Sequence, residues 1–494
     1  MNTSKFSLRR FFEITIALTT WALITMPVWL SPFHPAVVAY IIIIFDVYFL
    51  YKTLRTVIMA TISYVRVTNA RKIQWFALIK RHKKINTLAH FLIITNYKES
   101  YAKIKKTLDI LSLQKYPLNR IFIVLGMEEA DGEQGRKRAE SLIAQFSSVF
   151  GGVFATYHTL TPGEAKGKAS NETCAAKWIS QKVSEMGISP LDTLITSCDA
   201  DSIIDEQYLA YLTHEYVNDK DGRFRFYWAP VLLYNNYWKL NFFIRMQTTV
   251  SSVLRLAFLS DKHNLIQIST YSMSLWLLES VGYWDTDIIP EDWHIFLQAF
   301  FKHGGIVQTK PIYLITTRDG VWGENIVAAF KNRYEQEKRW AWGVSDVPYA
   351  LEQFVRTYKV SFFEKLFRII GLLETHIFWP SSFFILTVGA SVPVLINPQF
   401  KRTVLGYLLP QIAGGILTFA TSFVLIIAYI DYMAKHKLMG RPEYKKAPLL
   451  IMQWVLFPLL SPIISAFLSS VPALESHTRM LFGKKMEYKV TRKK

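Results

Sequence analysis

Two long apolar runs open the chain, over about residues 14–30 and, after the break Ser31-Pro32-Phe33-His34-Pro35, on to about Tyr51. A helix needs about 20 apolar residues to cross a bilayer, so the pair predicts a transmembrane hairpin over residues 1–52, preceded by Lys5, Arg9 and Arg10. A cleaved signal peptide is the alternative, but no small-residue cleavage site comes after the first run and the second arrives at once. Lys52, Arg55, Arg66, Arg71, Lys72 and the cluster Lys80-Arg81-His82-Lys83-Lys84 then crowd the side reached after two crossings. Positive charge marks the cytosolic side of a membrane, so residues 53–85 read as a basic interfacial linker and the region beginning at about residue 86 is placed in the cytosol.

From about residue 86 to 346 short apolar runs alternate with helical periodicity, the pattern of an α/β domain with a largely parallel sheet. Strands are predicted over residues 89–95, 120–125, 153–158 and 192–198. In such sheets ligands sit beyond the carboxyl ends of the strands, which directs attention to Thr95, Leu125, His158 and Cys198. Residues 353–368 mix apolar positions at helical spacing with Arg356, Lys359, Lys365 and Arg368, and an interfacial helix is expected across residues 347–368. Residues 369–475 form a C-terminal transmembrane region. Its spans lie at about 375–396 and 404–429, joined by the loop Asn397-Pro398-Gln399-Phe400-Lys401-Arg402 and succeeded by a basic loop over residues 435–446. The last apolar stretch, residues 449–471, is interrupted by Pro458 and Pro462. It either crosses, re-enters or lies at the interface, and the expectation is four full spans plus a re-entrant or interfacial segment, which keeps the basic tail of residues 476–494 in the cytosol.

Composition sharpens this layout. Half the residues are hydrophobic and the formal charge is +19, but the basic residues cluster beside apolar segments rather than in an arm interleaved with aromatics, so anionic lipid explains them and nucleic acid does not. Cys174 and Cys198 are the two cysteines, without metal-ligand spacing or a disulfide framework, as suits a reducing cytosol.

Three elements carry chemistry. Cys198-Asp199-Ala200-Asp201 places two carboxylates just past a buried strand, where hard oxygen ligands suit Mg²⁺ or Mn²⁺ bridging a diphosphate; alone, the pair also fits a solvated turn. Pro290-Glu291-Asp292 precedes a helical stretch, where the dipole helps keep a carboxylate ionised. That position serves as a helix cap or, near an acceptor hydroxyl, as a general base. In Gln336-Glu337-Lys338-Arg339-Trp340, helical spacing gives Gln336, Arg339 and Trp340 one face. It offers a guanidinium for phosphate and an indole for a sugar ring, though such a cluster also suits an amphipathic face at a membrane.

In this order, between flanking apolar spans, the three elements resemble the membrane-bound family 2 glycosyltransferases, the group of cellulose, chitin and hyaluronan synthases. The resemblance implies a GT-A-like, Rossmann-like cytosolic domain over residues 86–346 flanked by transmembrane helices. It also implies inverting transfer from a nucleotide-sugar donor, a UDP-sugar in expectation, with Mg²⁺ or Mn²⁺. It assigns metal and nucleotide diphosphate to Asp199 and Asp201, the base to Asp292 beside Glu291, and pyrophosphate and acceptor sugar to Gln336, Arg339 and Trp340. Weaker matches add Glu99 in Asn96-Tyr97-Lys98-Glu99, and Lys168 and Asn171 in Gly167-Lys168-Ala169-Ser170-Asn171, to the donor side. Where the group carries an Asp pair after the second strand this chain has Glu128-Glu129, with Glu128 the expected substitute, and Pro290 replaces the usual Thr. Tyr488-Lys489-Val490-Thr491-Arg492-Lys493 is similar to a cytosolic gating loop, giving Val490, Thr491 and Lys493 as gating residues; a plain basic tail is the alternative. The expected function is transfer to a growing polysaccharide by a processive enzyme in the plasma (inner) membrane, with membrane lipids as partners. The alternative is single transfer to a lipid-linked acceptor at the cytosolic face.

Overall fold

The computed structural model describes residues 7–261, 264–439 and 447–486. Helix α1 (Leu8–Leu30) starts at the Ser7 cap, whose hydroxyl accepts from the Arg10 amide at 3.1 Å. Helix α2 (Pro35–Ala70) starts with Pro at its first position, where the missing N–H costs nothing. It runs on for 36 residues, so residues 53–70 of the predicted linker continue the same helix.

Among the described residues the α/β domain has ten strands: β1 (Ala89–Asn96), β2 (Ile121–Glu128), β3 (Gly152–His158), β4 (Thr193–Asp199), β5 (Ile203–Ile204), β6 (Arg225–Trp228), β7 (Val231–Leu232), β8 (Tyr271–Ser274), β9 (Gln308–Pro311) and β10 (Thr316–Thr317). Seven form the main sheet, in the order β3-β2-β1-β4-β8-β6-β9, and β5-β10-β7 form a small one. Strands β3, β2, β1 and β4 are mutually parallel, while β8 runs against β4 and β6. The four predicted strands are present, with β2 extending three residues further, to Glu128. Successive residues of β1 face opposite cores: Phe91 and Ile93 join one cluster, Leu92 and Ile94 the other. Helices cover both faces, which is why the central strands read as unbroken apolar runs. Register sets Thr95 beside both Gly126 and Asp199, and Glu128 beside His158, so four strand ends open on one edge.

Among the helices of the domain, α3 (Lys168–Glu185), α4 (Phe242–Phe258), α5 (Glu291–His303), α6 (Ile326–Ala341) and α7 (Asp346–Arg356) bear on the site. The expected single interfacial helix is instead two. Helix α7 stops at Arg356 and α8 (Phe362–Thr387) begins at the Ser361 cap. Lys365 crosses the break and donates to the carbonyls of Phe354 and Thr357 at 2.9 and 2.6 Å, satisfying the orphan acceptors at the end of α7.

The chain continues through α9 (Val404–Met439), α10 (Ala447–Ser465) and α11 (Val471–Leu481), the last two joined by a π-helical turn over Ala466–Ser470 that is kinked at Leu468. Thus the first part of the predicted basic tail is helix. Among the described residues five helical stretches are long and apolar enough to cross a membrane: Leu8–Leu30, Pro35–Ala70, Phe362–Thr387, Val404–Lys437 and Pro448–Leu481. An apolar layer of Met26, Val38, Ile42, Ile385, Phe400 and Leu409 knits α1, α2, α8 and α9 together away from the sheet. Helix α10 lies elsewhere. Gln453 near its start meets Arg245 of α4 at 3.2 Å, Phe457, Ile464 and Leu468 pack with Ile244 and Ala329, and in α11 Glu475 meets Lys338 of α6 at 3.1 Å. Both ends of this segment therefore touch the α/β domain.

Candidate active site

Parallel strands aim their carboxyl ends at one edge, and beyond that edge lies one cavity of about 1250 Å³. Glu99, Glu128, Lys168, Asn171, Asp199, Asp201, Glu291, Asp292, Gln336, Arg339 and Trp340 all line it. The structure thus brings together every site residue expected from the sequence except Val490, Thr491 and Lys493, which lie outside the described residues.

Lys168, first residue of α3, is the hub. Its ammonium donates to the Ser197 hydroxyl at 2.8 Å and the Ser269 carbonyl at 2.9 Å, and lies 3.2 Å from Asp199, 3.4 Å from Glu172 and 3.5 Å from Glu291. Burial works against its charge, yet Glu172, Asp199 and Glu291 hold its pKa well above the usual range. Burial likewise pushes the Glu291 carboxyl up to about 8, against the pull of Lys168. Asp292 is also raised by burial, opposed by the backbone amides of Ser269 and Trp293, each donating to one of its oxygens at 2.9 Å. Those two bonds fix the carboxylate in place.

Asp199 accepts from Ser269 Oγ at 2.7 Å and from Arg318 at 2.8 Å, and Asp201 from the Asp319 amide at 3.1 Å. Ser269, absent from the residues expected from sequence, serves Lys168, Asp199 and Asp292 at once, and does so at φ +67°, a conformation that costs a non-glycine residue about 1–2 kcal/mol. Nothing in Gln267-Ile268-Ser269-Thr270 signals it.

At the β2 end, Glu128 accepts from Asn171 Nδ2 at 2.7 Å and meets His158 Nδ1 at 3.0 Å, and the other ring nitrogen of His158 meets Glu164 at 3.1 Å. Glu99 pairs with Lys103 at 3.1 Å. On α6, Arg333 donates to Gln336 Oε1 at 2.5 Å and also to Glu337, which accepts from Gln247 at 2.6 Å. Three guanidinium carbons surround the Trp340 ring: Arg333 at 4.8 Å, Arg255 at 5.0 Å and Arg318 at 5.5 Å. None of the three belongs to a motif in the sequence.

Among the described residues no three His, Cys, Asp or Glu side chains cluster to hold a metal. Asp199 and Asp201 still fit Mg²⁺ or Mn²⁺, because such ions take one or two carboxylates and complete their shell with phosphate oxygens and water. The cavity continues past Trp340 between helices. Phe49, Phe378, Leu386, Leu417, Val424 and Phe457 wall that part, and hydroxyls there, such as those of Thr53, Ser382 and Thr421, bond back to carbonyls of their own helices.

The family model described as Glycosyl transferase family group 2 matches residues 194–468. No curated protein matches the sequence. The chain is similar to the solved structure of the mannosyltransferase PcManGT from Pyrobaculum calidifontis in complex with GDP-Man and Mn²⁺, at 14% identity over 90% of this chain and 100% of that chain, with TM-score 0.43. It is similar also to S. aureus TarS 1–349 in complex with UDP-GlcNAc, at 12% identity over 80% of this chain and 93% of that chain, with TM-score 0.34.

Proposed function

The chain belongs to glycosyl transferase family group 2, and from that premise we propose that it is a membrane-embedded, inverting enzyme that moves a sugar from a nucleotide donor to a lipid-linked acceptor. The observation that carries the reading is the continuity of one cavity from Asp199 and Asp292, past Trp340 and the Lys52–Glu374 ion pair, into a mainly apolar groove between α2, α8, α9 and α10. A polar polymer gains little from such walls; a hydrocarbon chain gains roughly 25 cal/mol per Å² removed from water.

On the donor side, Glu128, Asn171 and Glu99 would hold the nucleoside end and Lys168 the diphosphate. Asp199 and Asp201 would hold Mg²⁺ or Mn²⁺, which when bound offsets charge developing on the leaving diphosphate. Asp292, anchored by two amides, faces the acceptor with Glu291 and Lys168 behind it. A carboxylate so placed takes the proton of an attacking hydroxyl. Arg339 and Gln336 would steady the pyrophosphate while Trp340 offers its ring to the sugar.

Four membrane spans, α1, α2, α8 and α9, suit this placement, with the α10–α11 segment lying along the domain at the cytosolic interface. The processive reading keeps support from Gln336, Arg339 and Trp340, which line the same cavity. The groove's lining on α2 ends at Phe49, where Ile42 and Phe45 join Leu409 in one apolar cluster, while on α8 it continues to Thr387 at the helix end.

The test is purified protein in lipid nanodiscs with Mg²⁺, a panel of nucleotide sugars and a membrane lipid extract. The expected result is nucleotide release matched by one labelled sugar per lipid in the organic phase. Polymer in the aqueous phase would replace this reading with the processive one.

A further inference from the structure

Arg255 is a buried guanidinium, 7% exposed, on the cavity-facing side of α4. Its hydrogen bonds reach back along its own helix, to Ser251 Oγ at 2.9 Å and the Ser251 carbonyl at 3.4 Å. Among the described residues no carboxylate lies within ion-pair distance of it. Its neighbours around Trp340 differ: Arg318 is neutralised by Asp199 at 2.8 Å, and Arg333 by Glu337. Glu337 is itself taken up by Arg333 and Gln247. Burial first, then Arg318 and Arg333, press the Arg255 pKa down to about 9. A buried charge without a partner is costly unless a ligand supplies one, and a guanidinium fork suits phosphate oxygens.

Position indicates which phosphate. The cavity-facing neighbours of Arg255 on α4 are Met246, Gln247, Val250, Ser251, Leu254 and Phe258, the apolar ones flanking it on both sides, and α4 packs against α2, α9 and α10, whose side chains wall the groove. On its polar side Arg255 shares the Trp340 ring with Arg318, which holds Asp199 beside Lys168. An anion at Arg255 therefore sits where polar cavity gives way to apolar groove.

We propose that the acceptor is a lipid bearing a terminal phosphate, with Arg255 binding that phosphate and the groove taking the hydrocarbon. The inference rests on the lipid-acceptor reading and names its nucleophile. A phosphate monoester has its second pKa near 6, so at neutral pH the head is chiefly dianionic and attacks without losing a proton. One of its oxygens forms the bond to the anomeric carbon. The bond from that carbon to the donor's diphosphate breaks, its electron pair leaving with the nucleoside diphosphate. Asp292 then acts as a fixed negative charge beside the anomeric carbon, where positive charge develops.

The test uses the full-length protein and its Arg255→Ala and Arg255→Lys variants in phosphatidylcholine nanodiscs, with the nucleotide sugar that gives release. The acceptors are a long-chain prenyl phosphate, the matching prenol and inorganic phosphate. Expected are an acid-labile glycosyl phospholipid from the prenyl phosphate alone, an acceptor KM about tenfold or more higher in Arg255→Ala, a donor KM within about twofold, and partial rescue by Arg255→Lys. Should Arg255→Ala not fold, the Lys variant still decides, since it keeps the charge but loses the fork and should raise acceptor KM alone. Equal use of the prenol, or of inorganic phosphate, overturns the proposal, as does a rise in donor KM in place of acceptor KM. Transfer to neutral saccharide alone sinks this inference while sparing the glycosyltransferase reading; no nucleotide release from any donor sinks both.

Discussion

Asp292 and Gly126 give the plainest residue-level expectations. Asn in place of Asp292 keeps the shape but loses the charge, so kcat should fall about a hundredfold or more while donor affinity, measured by titration calorimetry, changes little. A binding protein would show no such split. At Gly126 an added Cβ would stand 2.2 Å from Asn171 Oδ1 and 3.5 Å from Thr95 Cγ2, so Gly126→Ala must displace Asn171 from Glu128. Donor KM should rise several-fold with a stability loss of about 1–3 kcal/mol, read by thermal unfolding; an unchanged donor KM would remove Glu128 and Asn171 from the nucleoside site. Asp199, Asp201 and Asp292 were legible as cavity residues because they end a strand, lie in the turn after it and open a helix, positions where a carboxylate has few structural duties. Ser269, Arg255 and Arg318 were not, because their roles arise from convergence of distant segments rather than from local pattern.

At the scale of elements, α5 owes its position to a buried clamp. His294 Nδ1 meets Asp346 of α7 at 2.7 Å and Nε2 meets Asp285 at 2.9 Å, with the Tyr349 ring 4.3 Å away. Burial opposes the imidazolium, but Asp346 and Asp285 raise its pKa to about 9. The folded-state value lies above the unfolded one of about 6.5. The stabilisation is therefore complete below about pH 6.5 and lost as pH rises through about 9, a loss on the order of 3 kcal/mol. Thermal unfolding from pH 6 to 10 should show the decline, and His294→Asn should flatten it; an equally steep decline in the variant would assign it to other groups. This clamp also holds Asp292, two residues away, so the alkaline limb of activity should steepen with it. Helix boundaries were harder to foresee than strands. The break at residues 357–361 depends on Lys365 capping α7 and Ser361 starting α8, local choices that an even apolar spacing conceals.

For the whole molecule, both ends of the α10–α11 segment touch the α/β domain, and Arg10 at the start of α1 donates to the Met480 carbonyl at 2.7 Å. If α1, α2, α8 and α9 cross the membrane and α10–α11 does not, Lys485 and the domain share one side and Phe33 lies on the other. In sealed vesicles, Lys485→Cys and Leu113→Cys should react with an impermeant maleimide from the same side and Phe33→Cys from the opposite side. Labelling of Lys485→Cys with Phe33→Cys would make the last segment a full crossing. Sequence alone determined the strands β1 to β4, the apolar helices and the order of acidic, amide and aromatic motifs. Periodicity and strand-end chemistry are written locally, and burial on both sheet faces leaves an unmistakable apolar signature. Only tertiary structure decided that both ends of the α10–α11 segment meet the α/β domain, that Ser269 joins three residues of the candidate site, and that Arg255 lines the cavity with no carboxylate within ion-pair distance among the described residues. Those facts depend on which distant segments meet, and hydrophobic length is the same whether a helix faces lipid or protein.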